Sequence, residues 1–462
     1  MNWTAQQQKA IELRNKNILV AAAAGSGKTA VLVERIKRLI LENRCPIDRM
    51  FIVTFTNAAA AEMKEKIEKA ISRAIKDISE KTEAAGGHMS DEDRRDLVFL
   101  KKQADLLPAA SISTFHAFAL DVIHRYFYLT DIEPNFKICD GSQQTILKGQ
   151  AMDALLEQRY EAAEPEFFDF LNKFSSDRND NRLRDMIEKS YDTIQSLPEP
   201  FQWLDEAVAA MNSSLDEFMD SHAVKYVVSD FIEGLQHALS RLEENLEKTR
   251  AEGLGGAENL ALQDMAAAQT LMETAEAGDF DKIRSALEAF KLPVMSKKYF
   301  APENNGGESA ALHEIKDFME KNRNVLKDVV SAAKKNCFYD TSENLWLEVK
   351  ATAPDVAYFS ELVKDFSLLY DGLKREKGLV DFSDIEHRAY EILKDEEAAG
   401  FFRNKFEHIF IDEYQDSNVL QEALIDTIRR ENNLFMVGDV KQSIYKFRLA
   451  AVSYTHLRAH ET

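Results

Sequence analysis

The sequence predicts an α/β protein: a mostly parallel sheet that carries a phosphate-binding loop and is interrupted by a large all-α insertion. Three observations predict it. A short apolar run, Asn17–Val20, feeds a small-residue loop ending in Gly-Lys-Thr, and then a stretch with helical spacing of apolar residues, Val31–Ile40. Further apolar, strand-like runs stand at 50–55, 110–113, 407–411 and 433–437. Between about residue 125 and about residue 375 such runs nearly vanish and helical periodicity takes over.

At the N-terminus, Thr4 is placed to cap a helix over the following residues. A glutamine just ahead of a phosphate loop, as Gln7 is, can read an adenine edge because an amide both donates and accepts; a solvated helix glutamine is the alternative. The loop is Ala21-Ala22-Ala23-Ala24-Gly25-Ser26-Gly27-Lys28-Thr29. Small residues let backbone N–H groups close on an anion, and the helix start adds partial positive charge. Lys28 would reach the β- and γ-phosphates, and the Thr29 hydroxyl would take a place on Mg²⁺. Ala22 stands where the motif G-x-x-x-x-G-K-[ST] has its first glycine, which weakens the motif without removing it.

Met50–Phe55 reads as a buried strand, and Thr54-Phe55-Thr56-Asn57 at its carboxyl end sits where open α/β sheets bind ligands. Residues 72–105 read as surface helix and loop around Gly86-Gly87. Ser111–Ser113 then leads through Thr114 and Phe115 to His116, which is either a satisfied, partly buried histidine or a contact to a nucleic acid strand. In the helical stretch, Phe231, Ile232, Leu235, Leu239, Leu242 and Leu246 recur on one face, and breaks fall at Leu197–Pro200, Gly253–Gly256 and Asn304–Gly307. The sheet signal returns at His408–Ile411, followed by Asp412-Glu413. Asp412 would hold Mg²⁺ and Glu413 would polarise an attacking water as general base. A last strand delivers Gly438-Asp439 and then Gln442, whose amide can sense a γ-phosphate. Tyr445 and Phe447 either stack on bases or fill a core.

Bulk properties narrow the classes. A chain of 462 residues has room for about two to four domains. No apolar run reaches the roughly eighteen residues of a membrane span, and the first residues lack the pattern of a secretory signal. Cys45, Cys139 and Cys337 lie far apart and form no metal-ligand spacing, which suggests free thiols and a cytoplasmic setting. The net charge of −21 speaks against an all-basic surface, yet leaves room for a local groove that holds one strand.

Taken together, Thr4-x-x-Gln7, Gly25-Ser26-Gly27-Lys28-Thr29, Thr54-Phe55-Thr56-Asn57-x-Ala59-Ala60-x-Glu62-Met63, Thr114-Phe115-His116, Asp412-Glu413-Tyr414-Gln415-Asp416 and Gly438-Asp439-x-Lys441-Gln442-Ser443-Ile444-Tyr445-x-Phe447-Arg448 occur in the order of superfamily 1 helicases of the UvrD/Rep type. Ala30–Ile36 after Thr29, the segment Gly378–Glu386 and the long insertion most resemble the AddA-type subunit of the bacterial helicase/nuclease for double-strand breaks.

The resemblance implies a RecA-like lobe at 1–122 and 375–448, a helical insertion domain at 123–374, and a tail at 449–462 that does not resemble the family. It implies ATP and Mg²⁺ as cofactors, with Gln7 on adenine, the loop Ala22, Ala23, Ala24, Gly25, Ser26, Gly27 with Lys28 and Thr29 on phosphates, and Thr29 and Asp412 on the metal. Glu413 would be the general base, and Gln442 would link the γ-phosphate to DNA. Phe55, Thr56, Asn57 and Thr114 would line a track for single-stranded DNA, joined by Phe115, His116, Tyr445 and Phe447. The implied partners are single- and double-stranded DNA and a nuclease subunit of the AddB type, in the cytoplasm and away from membranes. The implied role is ATP-driven movement on DNA in recombinational repair, with an exonuclease domain in the whole protein. Without the family's second motor lobe, which would supply phosphate-sensing arginines, ATP hydrolysis is expected to be slow. The alternatives are a plain UvrD/Rep-like repair helicase, or a non-catalytic module that binds nucleotide and DNA. All of this requires Lys28 and the Asp412–Glu413 acids to meet around one triphosphate pocket on adjacent β-strands.

Overall fold

The computed structural model describes residues 3–22, 27–132, 135–174, 180–305 and 309–439. Its strands are β1 (Ile18–Ala21), β2 (Met50–Val53), β3 (Ser111–Ser113), β4 (Lys137–Ile138), β5 (Leu379–Val380), β6 (His408–Ile411) and β7 (Leu434–Gly438). Five of them form an all-parallel sheet in the order β1-β7-β6-β2-β3. The expected fold class therefore holds, and the middle of the sheet is filled by strands that follow the helical stretch in the chain.

The central strands are buried on both faces, which is why they read as unbroken apolar runs rather than alternating ones. Phe51, Val53, Ile409, Ile411, Leu434 and Met436 point to one core. Met50, Ile52, Phe410, Phe435 and Val437 point to the other. Helices cover both faces. Those preceding the helical stretch are α1 (Ala5–Glu12), α2 (Lys28–Leu41), α3 (Asn57–Ala84), α4 (Asp91–Leu106) and α5 (Phe115–Tyr126). Residues 72–105 prove to be the end of α3 and most of α4, joined by a turn at Gly86-Gly87, and they contribute Leu100 to the core and Gln103 as acceptor for the Ile47 amide at 2.9 Å.

Between 139 and 378 the described residues hold helices and turns and no strand. A separate two-stranded sheet brackets the helical stretch: β4 and β5 pair in parallel, Lys137 opposite Leu379 and Ile138 opposite Val380. Two compact units emerge, 1–204 with 358–462, and 205–357. The helices at 141–162, 165–174 and 181–194 bury Leu155, Phe167 and Ile187 against Leu362, Phe366 and Tyr370 within the first unit.

In the second unit the helix His222–Ala251 buries Phe231, Leu235, Ala238, Leu242, Asn245 and Thr249. Ile232, Leu239 and Leu246, expected on the same face, lie at its partly buried margin. The stripe ends in polar residues: the Asn322 amide donates to Asn245 Oδ1 at 2.9 Å, and Arg323 Nε lies 3.2 Å from the fully buried Asp264. Burial pushes the Asp264 carboxyl up to about 6.

Candidate active site

The carboxyl ends of β1, β6, β7 and β2 converge on one region of the first unit, as parallel α/β sheets require of a ligand site. Gly27, at φ +83°, caps the start of α2, a left-handed conformation that glycine adopts without strain. Lys28 is the first residue of that helix. It is 9% exposed, and its ammonium has no hydrogen-bond partner among the described residues. The nearest carboxylate is Glu413, with Nζ to Oε2 at 3.8 Å. A buried, unsatisfied cation at a helix start is set up to receive an anion. Beside it, Thr29 Oγ1 donates to Asp412 Oδ2 at 3.4 Å, so a hydroxyl and a carboxylate oxygen face each other as a hard-cation site needs.

Lys28 and the acids thus meet, but not from neighbouring strands. β7 lies between β1 and β6. Just after β1 the Ala22 amide donates to the Gly438 carbonyl at the end of β7 at 3.1 Å, and Lys28 and Thr29 at the start of α2 reach the acids that follow β6. A helix start reaches sideways past a strand end, so strand adjacency is unnecessary.

Burial first, and then the charge of Glu413, push the Asp412 carboxyl up to about 6; the Glu413 amide, the Thr29 hydroxyl and Lys28 oppose the shift. Glu413 sits in the left-handed region at φ +55°, ψ +44°, a strained choice for a non-glycine residue. Its carboxylate accepts from Gln415 Nε2 at 2.8 Å, while Gln415 Oε1 accepts from the Asp439 amide at 2.8 Å. Gln415 therefore ties the acidic turn to the end of β7. A Cβ on Gly438 would lie 2.8 Å from Gln415 Oε1 and 3.2 Å from the Gln415 amide nitrogen. Gly438→Ala is accordingly expected to cost about 1–3 kcal/mol by overpacking, read as a lower midpoint in thermal denaturation.

Gln7 closes the other side. The capping box between Thr4 and Gln7 fixes its side chain, with Oε1 accepting from the Thr4 amide at 2.9 Å. A Cβ built on Gly27 would lie 3.5 Å from Gln7 Nε2, so the amide lies beside the residue that caps α2. Arg35, to which the motifs assign no role, holds this helix in place. It is 4% exposed, donates to the Ala10 carbonyl at 2.8 Å, and lies over the Phe435 ring at 4.7 Å. Burial lowers its pKa to about 10. Its signal in the sequence was an arginine on the apolar stripe of α2, between Val31 and Leu39.

A cavity of about 430 Å³ joins Thr29, Asp412 and Glu413 to Thr54, Phe55 and Thr56. Phe55 is 42% exposed, and Asn57 opens α3 on the surface. Thr56 caps α3, its hydroxyl accepting from the Ala59 amide at 3.1 Å. Two of the expected strand contacts are buried and tied into the fold. The Thr114 hydroxyl caps α5, accepting from the Ala117 amide at 3.3 Å, and Phe115 packs in the core at 7% exposed. A motif match alone cannot tell which of three consecutive residues a helix start turns inward. His116 is the most exposed member of the trio. Ala23, Ala24, Gly25, Ser26, Gln442, Tyr445, Phe447 and the tail 449–462 lie outside the described residues.

The UvrD/REP helicase N-terminal domain model matches residues 3–461. The chain belongs to the UvrD/REP helicase family. Membership implies, in general terms, binding of ATP and Mg²⁺. The Lys28 ammonium and the Thr29–Asp412 oxygen pair fit a nucleotide's phosphates and a divalent cation. Among its relatives, an ATP-dependent helicase/nuclease subunit from Alkaliphilus oremlandii is 40% identical over 97% of this chain. Proteins of the same description from Alkaliphilus metalliredigens and Bacillus cytotoxicus are 38% and 35% identical, again over 97% of the chain. The chain spans about 35% of the length of each of these relatives. No helix among the described residues of this UvrD/REP family member is long and apolar enough to cross a membrane.

Proposed function

We propose that this chain is the ATP-binding lobe, with its helical insertion, of an AddA-type protein: an ATP-dependent helicase/nuclease component that moves on single-stranded DNA during recombinational repair of double-strand breaks. The observation that carries the reading is the meeting of Lys28, Thr29, Asp412 and Glu413 within one site. The relatives' description as helicase/nuclease subunits supports the AddA assignment. With that assignment the proposal extends to an AddB-type nuclease partner, an exonuclease domain in the whole protein, and a cytoplasmic location.

Bound MgATP supplies the phosphoryl group whose transfer to water drives the cycle. Lys28 neutralises phosphate charge from a dry position. Thr29 and Asp412 orient the cation. Glu413 takes a proton from the attacking water, and Gln415 holds the Glu413 carboxylate for that task. Gln7 accepts and donates at the adenine edge. Phe55 and Thr56, which line the same cavity, contact the strand together with Asn57 and His116.

The test is Mg²⁺-dependent binding of a fluorescent ATP analogue to the chain across pH. The folded chain favours protonated Asp412, so this group's share of stability is fully present below the usual carboxylate range and is lost as pH rises through about 6. A cation takes the ionised form. The Mg²⁺-dependent part of the affinity is therefore expected to fall up to about tenfold per pH unit below 6 and to level off above it. Asp412→Asn should abolish both the metal dependence and the slope. Metal-independent binding by the wild-type chain at every pH would overturn the assignment.

A further inference from the structure

The second unit holds a cavity of about 770 Å³, none of whose residues belongs to the nucleotide site. One wall is a face of the helix Ser309–Asn336, where Glu320, Arg323, Lys327, Val330, Ser331 and Lys334 follow one another at helical steps of three and four residues. From Glu320 to Lys334 that face runs about 21 Å. The other wall is the stretch 290–295, which is neither helix nor strand. The Arg323 guanidinium donates to the Pro293 carbonyl and so ties the two walls together.

The cavity has the opposite charge to the chain. The chain carries −21, yet Lys291, Arg323, Lys327, Lys334 and Lys335 line the cavity against the acid Glu320. Lys291, Lys327 and Lys335 are exposed at the rim. Arg323 is only 3% exposed, and its Nε has no hydrogen-bond partner among the described residues. Asp264, 3.2 Å from that Nε, is fully buried and does not line the cavity. Between the cations the lining is apolar, with Leu292, Pro293, Val294 and Met295 on one wall and Val330 on the other. Val294 is 81% exposed, the most exposed large hydrophobic residue among those described. Cations and uncovered apolar surface thus share one cleft, and an occupant has to satisfy both.

We propose that this cleft docks an acidic, partly apolar helix of a partner protein, its carboxylates meeting the lysines and its apolar side chains covering Leu292 and Val294. A length of about 21 Å receives about four helical turns. The rim lysines steer the acidic segment in, and the apolar strip holds it. A phosphate backbone would meet the cations but gain nothing from the apolar lining. Phe290 supplies the one ring of the lining, and it is partly buried against the core of the second unit, so bases find no exposed platform for stacking. The inference stands apart from the nucleotide and strand readings, because every residue it uses lies between 264 and 335.

The experiment is fluorescence anisotropy with the whole chain and a labelled synthetic peptide about sixteen residues long, Glu and Leu in a helical repeat. The same composition in scrambled order and a labelled DNA duplex serve as comparisons. The patterned peptide should bind at least about fivefold more tightly than the scrambled one. Lys327→Glu combined with Lys335→Glu, both at exposed positions, should weaken it at least about tenfold. Val294→Ser should weaken it at least about twofold. Affinity for a fluorescent ATP analogue with Mg²⁺ and the thermal midpoint should stay unchanged in these variants, which separates loss of docking from loss of fold. Failure of the patterned peptide to bind, equal binding of the scrambled peptide, or affinity indifferent to either variant overturns the proposal. So does a duplex that binds more tightly than the peptide and loses that affinity with the two lysines, since the cleft would then be a nucleic acid surface.

Discussion

Replacing Glu413 with glutamine is expected to slow ATP hydrolysis by about 10²–10⁴-fold, the usual contribution of a placed general base, while MgATP binding persists or tightens. The two effects have separate causes. Hydrolysis fails because an amide cannot accept the proton of the attacking water. Binding survives because Glu413 is not among the oxygens that face the cation site; those are Thr29 Oγ1 and Asp412 Oδ2. The negative charge of Glu413 also raises the Asp412 carboxyl, so its removal leaves Asp412 easier to ionise and readier for metal. Phosphate release under single-turnover conditions measures the first effect, and titration with a fluorescent ATP analogue the second. A hydrolysis rate within about threefold of the unmodified protein would place the base elsewhere. The backbone adds a structural reason to expect a large effect. A non-glycine residue held at φ +55° persists only where its surroundings over-determine it, and here the Gln415 amide and the Lys28 ammonium face its carboxylate.

Lys28→Met should weaken nucleotide binding about 10- to 150-fold, corresponding to about 1.5–3 kcal/mol for a hydrogen bond to a charged group. The same substitution should leave the thermal midpoint of the nucleotide-free chain unchanged or higher. The ammonium is buried with no hydrogen-bond partner among the described residues and has one carboxylate at 3.8 Å, so an apolar side chain of similar length removes a desolvated charge. Loss of affinity without loss of stability separates a ligand-directed cation from a structural one. A fall in both together would mean that Lys28 supports the fold.

The sheet was legible because its strands are short, unbroken apolar runs ended by polar motifs, and a strand buried on both faces has no other way to read. The order of those strands was not legible. Nothing local in Leu434–Gly438 says that it inserts between β1 and β6, because strand order is set by which faces complete two cores at once. The helical stretch was recognisable by period, but helical period names a buried face and not the partner that buries it. That is why helices of 141–194 share a core with Leu362, Phe366 and Tyr370, and why the stripe of His222–Ala251 ends in Asn245 and Thr249.

The same division runs through the site. From residue type and spacing alone came the phosphate-loop lysine and threonine, the paired acids and the glutamine ahead of the loop, since each is a local chemical requirement written within a few residues. Tertiary structure alone decided that Phe115 turns into the core while Phe382, far along the chain, comes to lie beside His116. It also decided that Arg35 bonds the helix bearing Gln7 and that Gln415 bonds the Glu413 carboxylate. The physical reason is that a motif records what must touch a ligand. What orients those groups is supplied by buried polar partners, many of them far away in the chain, which only packing brings within hydrogen-bond distance.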